Sequence, residues 1–179
     1  MLIKGDISIW LNADYEYMIM PIQPIVETTW PEILSLQEKA YLLVEPESLD
    51  VLKDKWSRSP SSCFIYRDGE QLMGYLLAHA WNKDQPPKLF QKLPEATKCN
   101  IMFLHDLAVA DAALGKGIGS KLINHLVKVS ALSGYKKIRL VAVQNSRLFW
   151  QKHGFTPVDI SVCESYGADA RLMQREVLV

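Results

Sequence analysis

The sequence predicts an α+β fold in which one mixed sheet carries helices on its faces. Three observations lead there: β-rich runs joined by a tight turn dominate the first half, strands and helices alternate in the second, and a glycine-rich loop stands between a strand and an apolar-striped helix. At 179 residues with 49% hydrophobic content the chain suits a single domain that fills one core without metals or disulfides. The expected division is an N-terminal extension over residues 1–19 and one domain over residues 20–179.

Residues 20–26 read as a strand, and over residues 29–43 Trp30, Ile33, Leu34, Leu36 and Ala40 recur at helical spacing. Glu45, Pro46 and Glu47 break that pattern, and a second helix is expected from Pro46 or Ser48 to about Trp56, with Ser48 as its N-cap. Residues 62–66 and 71–81 are two β-rich runs around Arg67-Asp68-Gly69, and Asp-Gly is a strong hairpin signal. The Pro/Lys-rich stretch 82–100 is expected to be a surface insertion, followed by a strand over residues 101–110. Residues 117–133 place Ile118, Leu122, Ile123, Leu126, Val129 and Leu132 on one helical stripe that Gly134 ends. A strand over 137–143, a short helix from Asn145 or Ser146 to Lys152, and closing strands over 155–162 and 170–179 complete the expectation.

Charge and composition exclude several classes. Twenty basic residues balance twenty acidic ones with no Lys/Arg block, so neither nucleic acid nor a membrane surface is expected as a partner. Cys63, Cys99 and Cys163 are odd in number and widely spaced, which suits a reducing compartment, and the protein is expected to be cytoplasmic. The N-terminus carries Asp6, Asn12, Asp14 and Glu16 where an export signal would keep an apolar stretch. His125 and His153 fall on helices without partners at metal spacing, so no metal is expected.

The informative segment is LHDLAVADAALGKGIGS, residues 104–120. A helix N-terminus offers unpaired N–H groups and the positive end of the helix dipole, and Gly115, Gly117 and Gly119 let an anion approach that backbone. Lys116 adds a positive charge and Ser120 a hydroxyl. Three glycines can equally be a flexible turn, and a nucleotide-phosphate site is a rival. A Walker A loop, however, needs Gly-Lys-Ser/Thr at its end, and a Rossmann loop needs GxGxxG after the first strand of a parallel unit.

The segment resembles the acetyl-CoA-binding motif of the GNAT superfamily of N-acetyltransferases. Leu107-Ala108-Val109 matches that family's strand end and Gly117 and Gly119 its two small positions, with Ile118 between them, while Leu114 stands where the family has Arg or Gln. Downstream, NSRLFWQKHGF over residues 145–155 resembles a second family segment, with Phe149-Trp150 at its Phe-Tyr pair and Gly154-Phe155 closing it. The resemblance implies a mostly antiparallel sheet with one splayed parallel pair. It also implies acetyl-CoA as cosubstrate, held by residues 107–109 and 114–120 together with Asn145, Phe149 and Trp150. A homodimer is compatible with it.

The chemistry it implies is transfer of an acetyl group to a primary amine of a small molecule, by direct attack in a ternary complex. A protein N-terminus or lysine as acceptor, and a non-catalytic acetyl-CoA-binding module, are the alternatives, the latter because of Leu114 and Trp150. An imidazole titrates near neutral pH, so His105 is the preferred base; strand alternation puts Asp106 on the opposite face, and one of the two faces the cleft. Trp150 replaces the family's tyrosine acid, and its indole N–H cannot release a proton. Tyr166 can take that role, or the thiolate leaves unaided. The acceptor is expected between the first helices and the last strands, near Trp30, Tyr41, Trp81, Tyr166, Glu45 and Glu47.

Overall fold

The Asp68-Gly69 turn, with Gly69 at φ +59°, folds two β-rich runs onto each other, and the rest of the sheet grows from that hairpin. The computed structural model describes residues 20–41, 45–95 and 99–177; the predicted extension over 1–19 and the predicted end of the first helix at residues 42–43 lie outside them. The strands are β1 (Ile22–Pro24), β2 (Phe64–Asp68), β3 (Gln71–Trp81), β4 (Ile101–Val109), β5 (Lys137–Ala142), β6 (Thr156–Pro157) and β7 (Arg171–Glu176). The helices are α1 (Trp30–Ala40), α2 (Leu49–Arg58), α3 (Ile118–Leu132) and α4 (Arg147–Lys152). The strand order is β1-β2-β3-β4-β5-β7-β6, and every neighbouring pair is antiparallel except β4 and β5.

Strand alternation sorts the sheet residues between two layers of helices. Phe64, Leu76, Ala78, Met102, Leu104, Ile138 and Leu140 pack against Ile118, Leu122, Ile123 and Leu126 of α3. On the opposite face Ile65, Tyr75 and Leu77 pack against Trp30, Ile33 and Leu36 of α1 and Leu52 of α2. A smaller cluster at one end joins Trp81, Phe103, Leu93 and Leu172.

Two features of this frame shape the site. The parallel pair is registered only from Ile101–Lys137 to Phe103–Arg139, so beyond Phe103 the strands diverge and one backbone edge of β4 faces open space. On its other side β4 pairs with β3, but Leu77 lies opposite Asp106 and Ala78 opposite Leu104. His105 is therefore the extra residue of a β-bulge.

Some expectations are corrected. The predicted strand over 155–162 shrinks to Thr156–Pro157: the Val158 N–H still donates to the Leu172 carbonyl at 2.9 Å, but the Ile160 N–H then bonds back to the Val158 carbonyl at 2.9 Å and the chain turns off the edge. Val158, Ile160 and Val162 pack on the end cluster instead. The stretch after β3 is no plain surface insertion: Leu93 is buried, its N–H donates to Asp54 Oδ2 at 2.8 Å, and its carbonyl accepts from the Arg58 guanidinium at 3.0 Å. The predicted first strand narrows to Ile22–Pro24, and α1 starts one residue later than expected, with its Pro in the first turn.

Candidate active site

The divergence of β4 and β5 opens a cleft of about 500 Å³, walled by residues 104–109 of β4 and by Leu140, Val141 and Val143. The α3 N-terminus closes one end and α4 one side, through Phe149 and Trp150. A left-handed residue is needed to swing the chain from the loop into α3, and Gly117 at φ +71° supplies it. The first bond within the helix is from Lys121 N–H to the Gly117 carbonyl, so the amides of Ile118, Gly119 and Ser120 have no partner inside the helix. A Cβ at Gly119 would crowd the cleft wall, standing 3.3 Å from Phe149 Cζ, a tight contact, and 3.7 Å from Val109 Cγ2.

Most of the residues expected at this loop line the cleft: Leu107, Ala108, Val109, Leu114, Gly115, Gly117, Ile118, Gly119, Ser120, Phe149 and Trp150. Lys116 is exposed and is not part of the wall. Asn145 is also absent from it; left-handed at φ +57°, its N–H donates to Asp169 Oδ2 at 2.8 Å, and its neighbours Gln144 and Ser146 line the cleft instead. The Trp150 indole N–H donates to Ser146 Oγ at 3.0 Å. Ser120 Oγ lies 3.1 Å from His153 Nε2, a histidine with no expected role.

A second cavity of about 80 Å³ adjoins the cleft and shares Tyr41, His105, Asp106, Val141 and Val143 with it. Glu45, Glu47, Leu89 and Tyr166 complete its lining with Gln37 and Pro46. Here strand alternation fails as a guide. The bulge at His105 turns both His105 and Asp106 toward the α1/α2 layer, so the expected choice of one face or the other does not arise.

The two side chains meet different surroundings. Asp106 is buried and accepts hydrogen bonds from the Tyr41 and Tyr75 hydroxyls and, at 3.3 Å, from Gln37 Nε2. Burial, reinforced by the Asp106 charge, raises both phenols well above their ordinary value. His105 Nε2 stands 2.6 Å from Glu47 Oε2 and 2.9 Å from Lys55 Nζ. Lys55 is wholly buried and donates to both Glu47 oxygens at 2.6 Å, and Phe90 N–H reaches Glu47 Oε1 at 2.6 Å. Burial alone would raise the Glu47 carboxyl, but the bond and charge of His105 and Lys55 outweigh it and hold the group at about 2. Burial pulls the Lys55 ammonium below its usual range.

The Tyr166 hydroxyl donates to the Pro87 carbonyl at 2.6 Å, and burial raises its phenol. Of the aromatics expected around an acceptor, Trp30 and Trp81 are core residues, whereas Tyr41 and Tyr166 line the second cavity. Lys55 and His79 escaped notice in the sequence, though each carries a signal. Lys55 continues the buried stripe of Val51 and Leu52 on α2, and His79 takes an inward strand position between Leu77 and Trp81.

A sheet that splits beside a glycine-mouthed helix, with a small polar cavity at the split, gives a cleft with an anion-binding helix terminus at one end. The sequence model of the Acetyltransferase (GNAT) family matches residues 30–155, and the chain belongs to that family. No curated protein matches the sequence. Among solved structures, the fold is similar to Ard1 from Thermoplasma volcanium, with TM-score 0.66 and 17% identity over 88% of this chain and 97% of that one. It is also similar to N-acetylglutamate synthase from Neisseria gonorrhoeae complexed with coenzyme A and N-acetyl-glutamate, with TM-score 0.67 and 14% identity over 88% of this chain and 35% of that one. A chain of the NatC complex bound to Gag peptide and CoA aligns with TM-score 0.65 and 19% identity over 89% of this chain and all (100%) of that one.

Proposed function

We propose that the protein moves the acetyl group of acetyl-CoA onto a primary amine of a small molecule, in a ternary complex. The observation that carries this reading is the junction of the two cavities. The large cleft has a helix-mouth anion site and an unpaired β4 edge, and it opens at His105 and Asp106 into a narrow, acid-lined second cavity. The second cavity is narrow, about 80 Å³ beside about 500 Å³ for the cleft, which suits the thin end of an amine better than a bulky residue.

In this reading the amides of Ile118, Gly119 and Ser120 receive the diphosphate, and Gly119 lets it approach the backbone. Bound acetyl-CoA supplies an activated thioester carbonyl. Backbone N–H groups on the free edge of β4, near residues 107–109, hold that carbonyl oxygen as charge grows on it. Glu45 draws a cationic amine into the second cavity. Asp106, already bonded by three donors, is a poor acceptor for a further proton, which leaves His105 to take the proton from the amine nitrogen. The nitrogen forms a bond to the carbonyl carbon, the carbon–sulfur bond breaks, and the thiolate leaves. Trp150 and Tyr166 both have their protons committed, to Ser146 and Pro87, so the thiolate departs unaided and is protonated from solvent, as a thiol pKa near ~8.5 allows.

The test is release of free thiol from acetyl-CoA by the purified protein across a panel of primary amines, short peptides and a lysine-bearing protein. Turnover with one or more small amines is expected, together with a loss of about 10²-fold or more in kcat/KM for His105→Ala. Turnover confined to peptides would replace the acceptor class, and tight acetyl-CoA binding with no turnover anywhere would make the protein a non-catalytic binding module.

A further inference from the structure

Residues 84–93, which follow β3, are pinned by side chains from several other elements. Arg139 Nη1 from β5 donates to the Asp84 carbonyl at 3.2 Å, and the Trp81 indole N–H at the end of β3 donates to the Gln85 carbonyl at 2.9 Å. The Tyr166 hydroxyl holds the Pro87 carbonyl, Glu47 Oε1 holds the Phe90 N–H, and Asp54 of α2 holds the Leu93 N–H. Phe90 itself is left-handed at φ +62°, a conformation that a bulky side chain seldom adopts and keeps only where its neighbours fix it.

Leu89 sits between the pins at Pro87 and Phe90. Its side chain is half-buried and lines the second cavity but not the cleft. Val141 and Val143, by contrast, line both, and Pro46 is exposed. The polar walls are cross-linked: Asp106 is bonded to Tyr41 and Gln37, Glu47 to Lys55 and His105, and Tyr166 to Pro87. Leu89 is therefore the inward apolar bulk that belongs to the second cavity alone. A loop free to swing would yield to a wide acceptor, but one held on both sides of Leu89 turns bulk into discrimination. One methylene too many in an apolar pocket changes kcat/KM by about 10- to 200-fold.

We propose that Leu89 is a specificity-determining residue that limits the width of the acceptor, admitting an amine whose nitrogen-bearing carbon is unbranched and rejecting one branched there. The inference rests on the second cavity being the acceptor site. The amine nitrogen has to reach the junction at His105 and Asp106, so the carbon that carries it stays inside the narrow cavity. A linear chain adds no width at that point, whereas a branch adds a methyl group that the pinned loop has no freedom to accommodate.

The experiment measures kcat/KM for n-butylamine and its isomer sec-butylamine, which differ only in branching, with wild type, Leu89→Ala and Leu89→Phe. Wild type should favour the linear isomer by about tenfold or more, and Leu89→Ala should cut that preference to within about threefold by gaining activity on the branched one. Leu89→Phe should instead lose activity on n-butylamine. The KM for acetyl-CoA should stay unchanged in both variants, because Leu89 does not line the cleft. A wild-type enzyme that treats the isomers alike, or a preference that survives intact in Leu89→Ala, overturns the inference and leaves the acetyl transfer standing. Leu89→Phe probes the limit from the other direction, and unchanged turnover of n-butylamine in that variant also overturns it. If wild type binds acetyl-CoA but acetylates no amine at all, the acceptor reading itself fails and the inference falls with it.

Discussion

Glu47, like Asp106, gathers three partners: Lys55, His105 and the Phe90 amide all converge on its two oxygens. Breaking a buried pair by neutralising one member leaves the other charge stranded, at a cost of about 3–5 kcal/mol. Glu47→Gln should therefore lower unfolding free energy in urea by that order at pH 7. The carboxyl sits at about 2 in the fold against 4.5 as a free group, so its stabilisation is complete above 4.5 and is lost as pH falls toward 2. The gap between wild type and Glu47→Gln should shrink over that window. Tyr166 gives the opposite expectation. Its hydroxyl is spent on Pro87, so Tyr166→Phe should leave kcat within about twofold of wild type, whereas a fall of about 10²-fold would make it the acid.

At the scale of single elements, the glycine loop and α3 carry the clearest demand on sequence. Gly119→Val would push a branched side chain into Phe149, Val109 and Leu107 and cover the helix-mouth amides, so titration calorimetry should find acetyl-CoA affinity reduced by more than tenfold. These elements were also the most legible in the sequence. The apolar stripe from Ile118 to Leu126 and the left-handed Gly117 are local properties, fixed by residues close together in the chain. Strand β4 was only half legible. Its apolar run marks it as a strand, but the bulge at His105 depends on pairing with β3, so no local pattern revealed that His105 and Asp106 share a face. Lys55 reads as an ordinary charge on a solvated helix until Glu47 and His105 are folded over it.

Across the whole molecule, acid should weaken the fold in a recognisable way. The His79 imidazole stays neutral in the fold down to about 3 but takes a proton near 6.5 when the chain unfolds. The unfolded state thus binds the extra proton between those values, and stability falls as pH drops below about 6.5. Urea midpoints measured from pH 7 to 5 should decline more steeply for wild type than for His79→Phe. The fold class and the order of the central elements could be read ahead, and the second cavity in part: Tyr41, Glu45, Glu47 and Tyr166 were expected around an acceptor, whereas Gln37, Leu89 and Val141 join its wall from segments far apart in the chain.

The short register between β4 and β5 has a mechanical corollary. With only Ile101–Phe103 facing Lys137–Arg139, strands β1–β4 and strands β5–β7 form two plates welded along a seam of three rungs. A coenzyme lodged in the gap would act as the missing rungs. Amides along both lips of the gap should then exchange with deuterium far more slowly once it is filled, while those at the seam change little.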